Sequence, residues 1–151
     1  MGGGGLSTCS VRSRSLYDFR GGQVVVDVAQ AAVDSASTRL RLQVGPGWFV
    51  EMAAEFGRLV ARKSEGATIA METPPAFDAQ ADRFWRLSEA GGRVEWATSP
   101  DGQAWKVLHT DTWMLPLDRF EVILGIVVEE GAPPAEARFD NLNPRPAARP
   151  E

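Results

Sequence analysis

Paired carboxylates are the first residues to test for bond-breaking chemistry in this chain. Retaining hydrolysis of a glycosidic bond needs two carboxyl groups about 5–5.5 Å apart. Asp78 and Asp82 lie on a connection, and Asp27 and Asp34 straddle a turn. Neither pair has a fixed common face, so solvated loop acids are the expected reading. Cys9 and His109 are each alone, so no disulfide framework and no multi-His metal site can be assembled. Cys9 sits in a Gly/Ser-rich leader, a poor place to hold a nucleophile against a base. Asp140 and Asn141 offer oxygens to calcium, which needs several more converging ligands; structural capping is the expected role. No catalytic residue, metal or cofactor is expected.

Sugar recognition asks for other residues. An exposed ring stacks on the apolar face of a pyranose, and an indole adds an N–H donor. Trp113 lies in the polar stretch HTDTWMLP, outside any alternating strand, and is the leading candidate. Trp48, directly after Gly45-Pro46-Gly47, is second. The competing reading of both is a loop aromatic folded back over the end of a sheet. Arg86, Ser88 and Glu95 complete the candidate ligand-binding set, because of the face on which their strands place them.

Those strands belong to Asp82–His109, DRFWRLSEAGGRVEWATSPDGQAWKVLH, which carries three of the five tryptophans. Gly91-Gly92 suits a two-residue turn with positive φ at both centres. Pairing Ala90 with Arg93 then sets Leu87 opposite Trp96 and Trp85 opposite Thr98. Trp85, Leu87, Val94 and Trp96 share a core-facing side. Arg86, Ser88, Glu95 and Ala97 share the other, with an Arg86–Glu95 cross-strand ion pair as the plainest reading. Ser99-Pro100-Asp101-Gly102 suits a type I turn with Gly102 in the left-handed conformation. Loop length then decides Trp105: opposite Ala97 it is outside, opposite Thr98 it is in the core. Burying an indole is worth roughly 2–3 kcal/mol, so the inward register is expected.

The rest of the chain keeps the same rhythm, with turn signals every 8–12 residues. Strands are expected over about Gly22–Gln30, Thr38–Val44 (TRLRLQV, alternating cleanly), WFVEMAAEF, RLVARKS, ATIAMET, FEVILGIVVE and ARFDNL. A helix is the main alternative for WFVEMAAEF, since Met52–Glu55 are helix formers. Phe120–Glu129 is the most apolar strand and a candidate for the centre of a sheet. TWMLPLD is a loop or short bent strand, because Pro116 cannot donate to a ladder. Residues 1–14 read as a flexible N-terminal segment, 15–143 as one domain, and 144–151 as a Pro-rich, extended tail. With ten to twelve strands, the sheet must split into two packed layers, an all-β antiparallel sandwich.

Composition narrows the partners. A chain of 151 residues is one domain's worth, and 44% apolar with mean hydropathy −0.19 is ordinary for a globular protein. Net charge −4 and a pI near 5.1, with no basic cluster, argue against nucleic acid. No run of about 18 apolar residues offers a membrane span. The opening MGGGGLSTCSVRSR lacks the basic and apolar regions of a secretory signal. The chain is therefore expected to be cytosolic or virion-borne, or a piece of a longer exported protein.

FWRLSEAGGRVEWATSPDGQAW, followed after an apolar strand by ARFDNL, resembles the concanavalin A-like (laminin-G-like) jelly-roll domains of actinobacterial extracellular proteins and their phage tails. LYDFRGGQVVVDV is similar to their first paired strand, so the resemblance runs from about Leu16 to Asn143. It implies two antiparallel sheets, one curved, and a non-catalytic carbohydrate-binding or adhesive role in a larger extracellular or virion assembly, with glycan or cell-surface polysaccharide as partner. A structural or spacer domain without a ligand is the alternative, and a glycoside hydrolase the third reading. Two departures bear on that third reading. The laminarinase-type glycosidases of this fold carry Glu-x-Asp-x-x-Glu on one strand; here the nearest acid cluster is Glu129-Glu130. The sialidase-type Asp-box, Ser-x-Asp-x-Gly-x-x-Trp, is also missing, since Gly102 directly follows Asp101.

Overall fold

The computed structural model describes residues 6–13, 16–31, 36–114, 118–129, 132 and 135–143. Eleven strands lie among them: β1 (Leu6–Arg12), β2 (Gln23–Gln30), β3 (Ala36–Gly45), β4 (Trp48–Glu55), β5 (Arg58–Glu65), β6 (Thr68–Ala70), β7 (Phe84–Ala90), β8 (Arg93–Ser99), β9 (Lys106–Thr112), β10 (Glu121–Glu129) and β11 (Arg138–Asn143). All pair antiparallel, in a six-stranded sheet of order β1-β10-β3-β4-β5-β6 and a five-stranded sheet of order β11-β2-β7-β8-β9. β10 separates β1 from β3, and β11 lies beside β2, so the chain passes repeatedly between layers in the manner of a jelly roll.

Period-two alternation decides what fills the space between the sheets. Leu40 and Leu42 of β3, Val50, Met52 and Ala54 of β4, Leu59 and Ala61 of β5 and Val122 of β10 form one wall. Val24, Val26 and Val28 of β2 join Trp85, Leu87, Val94 and Trp96 in the other. A polar bond crosses the core: Trp96 donates its indole N–H to the carbonyl of Glu51 at 2.9 Å. That bond satisfies an indole that would otherwise be buried with an orphan donor.

The β7–β8 hairpin has the expected register: Ala90 opposite Arg93, Leu87 opposite Trp96, Trp85 opposite Thr98. Gly91 and Gly92 both take positive φ, 59° and 80°. WFVEMAAEF is a strand, with Ala53 and Ala54 buried between neighbours on both sides. β10 is an interior strand, flanked by β1 and β3.

Three expectations are corrected. Leu6–Arg12, placed in the flexible segment, is an edge strand paired with Ile123–Glu129 of β10; the apolar partner, not local propensity, orders it. ATIAMET supplies only the three residues of β6. Trp105 lies outside the ladder, since β9 begins at Lys106, opposite Thr98, with a register shift between Trp96 and Ala97. Asp101 accepts from the backbone N–H groups of Gln103 and Ala104 at 2.8 and 2.9 Å, which lengthens the loop past a four-residue turn. Half-buried, Trp105 then covers Arg86, whose guanidinium carbon is 4.5 Å from the ring centroid, while Val107 is exposed. Residues 1–5, Asp34, Pro116, Glu130 and the tail from 144 lie outside the described residues.

Candidate ligand-binding face

Of the two predicted aromatic platforms, Trp113 is buried and Trp48 is half-buried. Trp113 is only 6% exposed and belongs to the core cluster. β9 runs past His109 to Thr112, and the Trp113 backbone N–H then donates to Gly92 O at 2.9 Å, fixing the residue to the β7–β8 hairpin. Trp48 opens β4 opposite Glu65, half-buried beside the Gly66 turn and outside the core cluster. Trp113 is thus an aromatic folded over a sheet end, its competing reading, while Trp48 keeps part of its surface in solvent.

Arg86, Ser88 and Glu95 do meet on the outer face of the five-stranded sheet. Ser88 pairs opposite Glu95, and Arg86 donates to Glu95 Oε1 at 2.8 Å while stacked beneath Trp105. The arginine is thus occupied from two directions. Asp27, from the predicted acid pair, accepts a two-point bond from Arg83 at 2.9 and 3.0 Å. Asp78 and Asp82 cap their own loop: Asp78 Oδ1 accepts from Gln80 and Ala81, and Asp82 Oδ2 from the Asp78 N–H. Those backbone donors hold the Asp78 carboxyl below its ordinary range.

A second charged set lies on the outer face of the six-stranded sheet. Alternation along β3, β4 and β5 turns Arg39, Arg41, Glu51, Glu55 and Arg62 away from the core. Glu51 pairs with Arg41 on one side and Arg62 on the other. Its side chain is fully buried, yet both oxygens are satisfied: Arg41 donates to Oε1 at 2.8–2.9 Å and Arg62 to Oε2 at 2.8 Å. Arg62 also bonds to Glu55, making it a bridge between two carboxylates. Burial alone would lower the Arg62 guanidinium, but its bonds to Glu55 and Glu51 outweigh that and hold it above its ordinary value. Arg41 stacks 3.7 Å over the ring of Phe49.

Two cavities adjoin along this face. One, of about 180 Å³, has Gly125 of β10 in its lining, with Arg39, Arg41 and Glu51 from one side and Thr8, Ser10 and Arg12 of β1 from the other. The second, of about 270 Å³, is lined by Ser37, Glu55, Phe56 and Glu129. Arg39 and Val127 line both. Phe56, in the β4–β5 turn, is 69% exposed with φ of 50°, a conformation that is a true outlier for a bulky residue.

This face escaped the sequence reading. The signal was present: in EMAAE, strand alternation puts Glu51 and Glu55 on one side, opposite the arginines of TRLRLQV. The stretch reads as a strand, but its helix-forming Met52–Glu55 keep a helix as the alternative and draw attention from the paired glutamates. Among the described residues, no group of three or more His, Cys, Asp or Glu side chains is placed to hold a metal.

No family model and no curated protein matches the chain. Solved structures do. The chain is similar to a Bacillus licheniformis β-glucanase, with TM-score 0.60 and 14% identity over 93% of this chain and 71% of that one. It is also similar to the PSpry domain of TRIM65, with TM-score 0.51 and 10% identity over 80% and 69%. Both are concanavalin A-like sandwiches. The two-sheet, all-β architecture of this protein is the concanavalin A-like jelly roll.

Proposed function

We propose that the protein is a non-catalytic recognition module of a larger extracellular or virion assembly, and that it binds carbohydrate across the outer face of the six-stranded sheet. The observation that carries this is the pair of adjoining cavities running from Gly125 to Phe56. They combine fixed hydrogen-bonding groups with one exposed ring, the two things a pyranose asks for. Phe56 holds a costly backbone conformation while burying little of its ring, and such strain clusters at functional positions.

Non-catalysis is supported by the partners of the two glutamates. A general acid must carry a proton, but the described side-chain partners of Glu51 and Glu55 are arginines, which donate and cannot accept. A chromogenic glycoside should stay intact. Glycan-array binding of the wild type, lost in Phe56→Ala with an unchanged melting curve, is the expected result; an array blank for the wild type sinks the proposal. The pairing of Arg86 with Glu95 and Trp105 favours a second reading, a spacer domain of a phage tail or exported protein with no ligand, and that blank array is its expected outcome.

A further inference from the structure

Resting on that reading of the face, we infer that the cavity over Gly125 takes a carboxylate, so that the ligand is an acidic, uronate-bearing saccharide. Its lining carries three guanidiniums, Arg12, Arg39 and Arg41, against the single carboxylate of Glu51. Of these, Arg12 faces Glu121 at 3.5 Å and Arg41 is committed to Glu51.

Arg39 differs from both. Its Nε donates to Ser37 Oγ at 2.9 Å, which fixes the plane of the guanidinium. Its two terminal nitrogens stand 4.0 Å from Glu51 and 3.9 Å from Glu55, beyond hydrogen-bond distance. Among the described residues these two nitrogens make only those long ion pairs and no hydrogen bond. A planar fork oriented from behind, with both terminal nitrogens free of hydrogen bonds and bordering both cavities, is the arrangement that takes a carboxylate through two parallel bonds.

Gly125 supplies the room. It sits inside β10, directly opposite Arg39 on one side and Ser10 on the other. Glycine weakens a strand interior and marks a close approach there; a Cβ would stand 3.2 Å from Cys9 O and from Ser10 Cβ. About 180 Å³ is several times the ~30 Å³ share of one liquid water, enough for a charged substituent. Thr8 and Ser10 line the same space with hydroxyls suited to a sugar. Phe56, bordering the neighbouring cavity with Arg39, offers the ring.

Calorimetric titration of the full chain with oligogalacturonate, a neutral galactose oligosaccharide of equal length, and dextran sulfate tests this. Oligogalacturonate is expected to bind about tenfold or more tighter than the neutral sugar, the worth of one charge-assisted contact, with affinity falling as salt rises. Arg39→Ala should erase the preference. Arg39→Lys, which keeps the charge but not the fork, should erase most of it, with unchanged melting curves showing that both variants fold. Equal binding of acidic and neutral oligomers, or a preference surviving in Arg39→Ala, overturns the carboxylate site and leaves the carbohydrate reading standing. Tighter binding of dextran sulfate overturns the choice of carboxylate. Failure of all three probes overturns both.

Discussion

Glu51 is held from both sides of its own strand. Its carboxylate is tied outward to Arg41 and Arg62, and its carbonyl accepts the Trp96 indole from across the core. Removing that donor forfeits the bond and leaves part of a fully buried indole's space empty, together about 1–3 kcal/mol. Trp96→Phe should therefore lower unfolding stability by about that amount, read in urea, with unchanged strand content by circular dichroism. A second residue-scale device is Asp101. The backbone N–H groups of Ala104 and Gln103 hold its carboxyl below the ordinary value near 3.8. A folded value below the unfolded one adds stability that is present above about pH 3.8 and lost as pH falls through the folded value. The melting gap between wild type and Asp101→Ala should be widest near neutrality and narrow below pH 3.8; a gap that stays constant through the acid range contradicts this account.

At the scale of the element, legibility followed the kind of constraint involved. The β7–β8 register could be read because Gly91-Gly92 admits a two-residue turn and alternation permits only one core face. The β8–β9 register could not. Ser99-Pro100-Asp101-Gly102 marks where a turn starts, whereas its length depends on how many backbone donors Asp101 collects. Trp113 was misplaced for a related reason, since its burial follows from β9 running beyond His109. β1 is ordered by β10, a partner more than a hundred residues away in the chain that local pattern cannot reveal. The β4–β5 turn carries a prediction of its own. Phe56 in the left-handed region costs about 1–2 kcal/mol, and asparagine tolerates that region far better. Phe56→Asn should raise the melting temperature while weakening saccharide binding; a variant that binds as well as wild type removes the ring from the proposed groove.

For the whole molecule, the two sheets are joined by more than their apolar faces. Lys63 of β5 reaches the five-stranded sheet, donating to Thr112 O at 2.8 Å and pairing with Asp111 at 3.2 Å as well as with Glu65 at 3.0 Å. Burial would lower the Lys63 ammonium, but hydrogen bonds to Glu65 and Asp111 outweigh it and raise it above 10.5. Its contribution is therefore complete below about pH 10.5 and fades only as pH climbs through the folded value. Lys63→Met should destabilise by roughly 1–3 kcal/mol at neutral pH, with a penalty that is flat from pH 6 to 9 in thermal melts. Fold class was legible at this scale because alternation and turn spacing are properties of the entire chain. The outer face of the six-stranded sheet was not, because it exists only once β1, β10, β3, β4 and β5 lie side by side.

The Trp96–Glu51 bond also divides that face into two classes of position for anyone diversifying it. Arg41, Glu51 and Arg62 share one network whose anchor point is set from the opposite sheet, so randomising any one of them alone selects against folded clones before binding is tested. Thr8, Ser10, Arg39 and Phe56 lie outside that network's short hydrogen bonds. A display library confined to those four would sample new specificities on an intact scaffold.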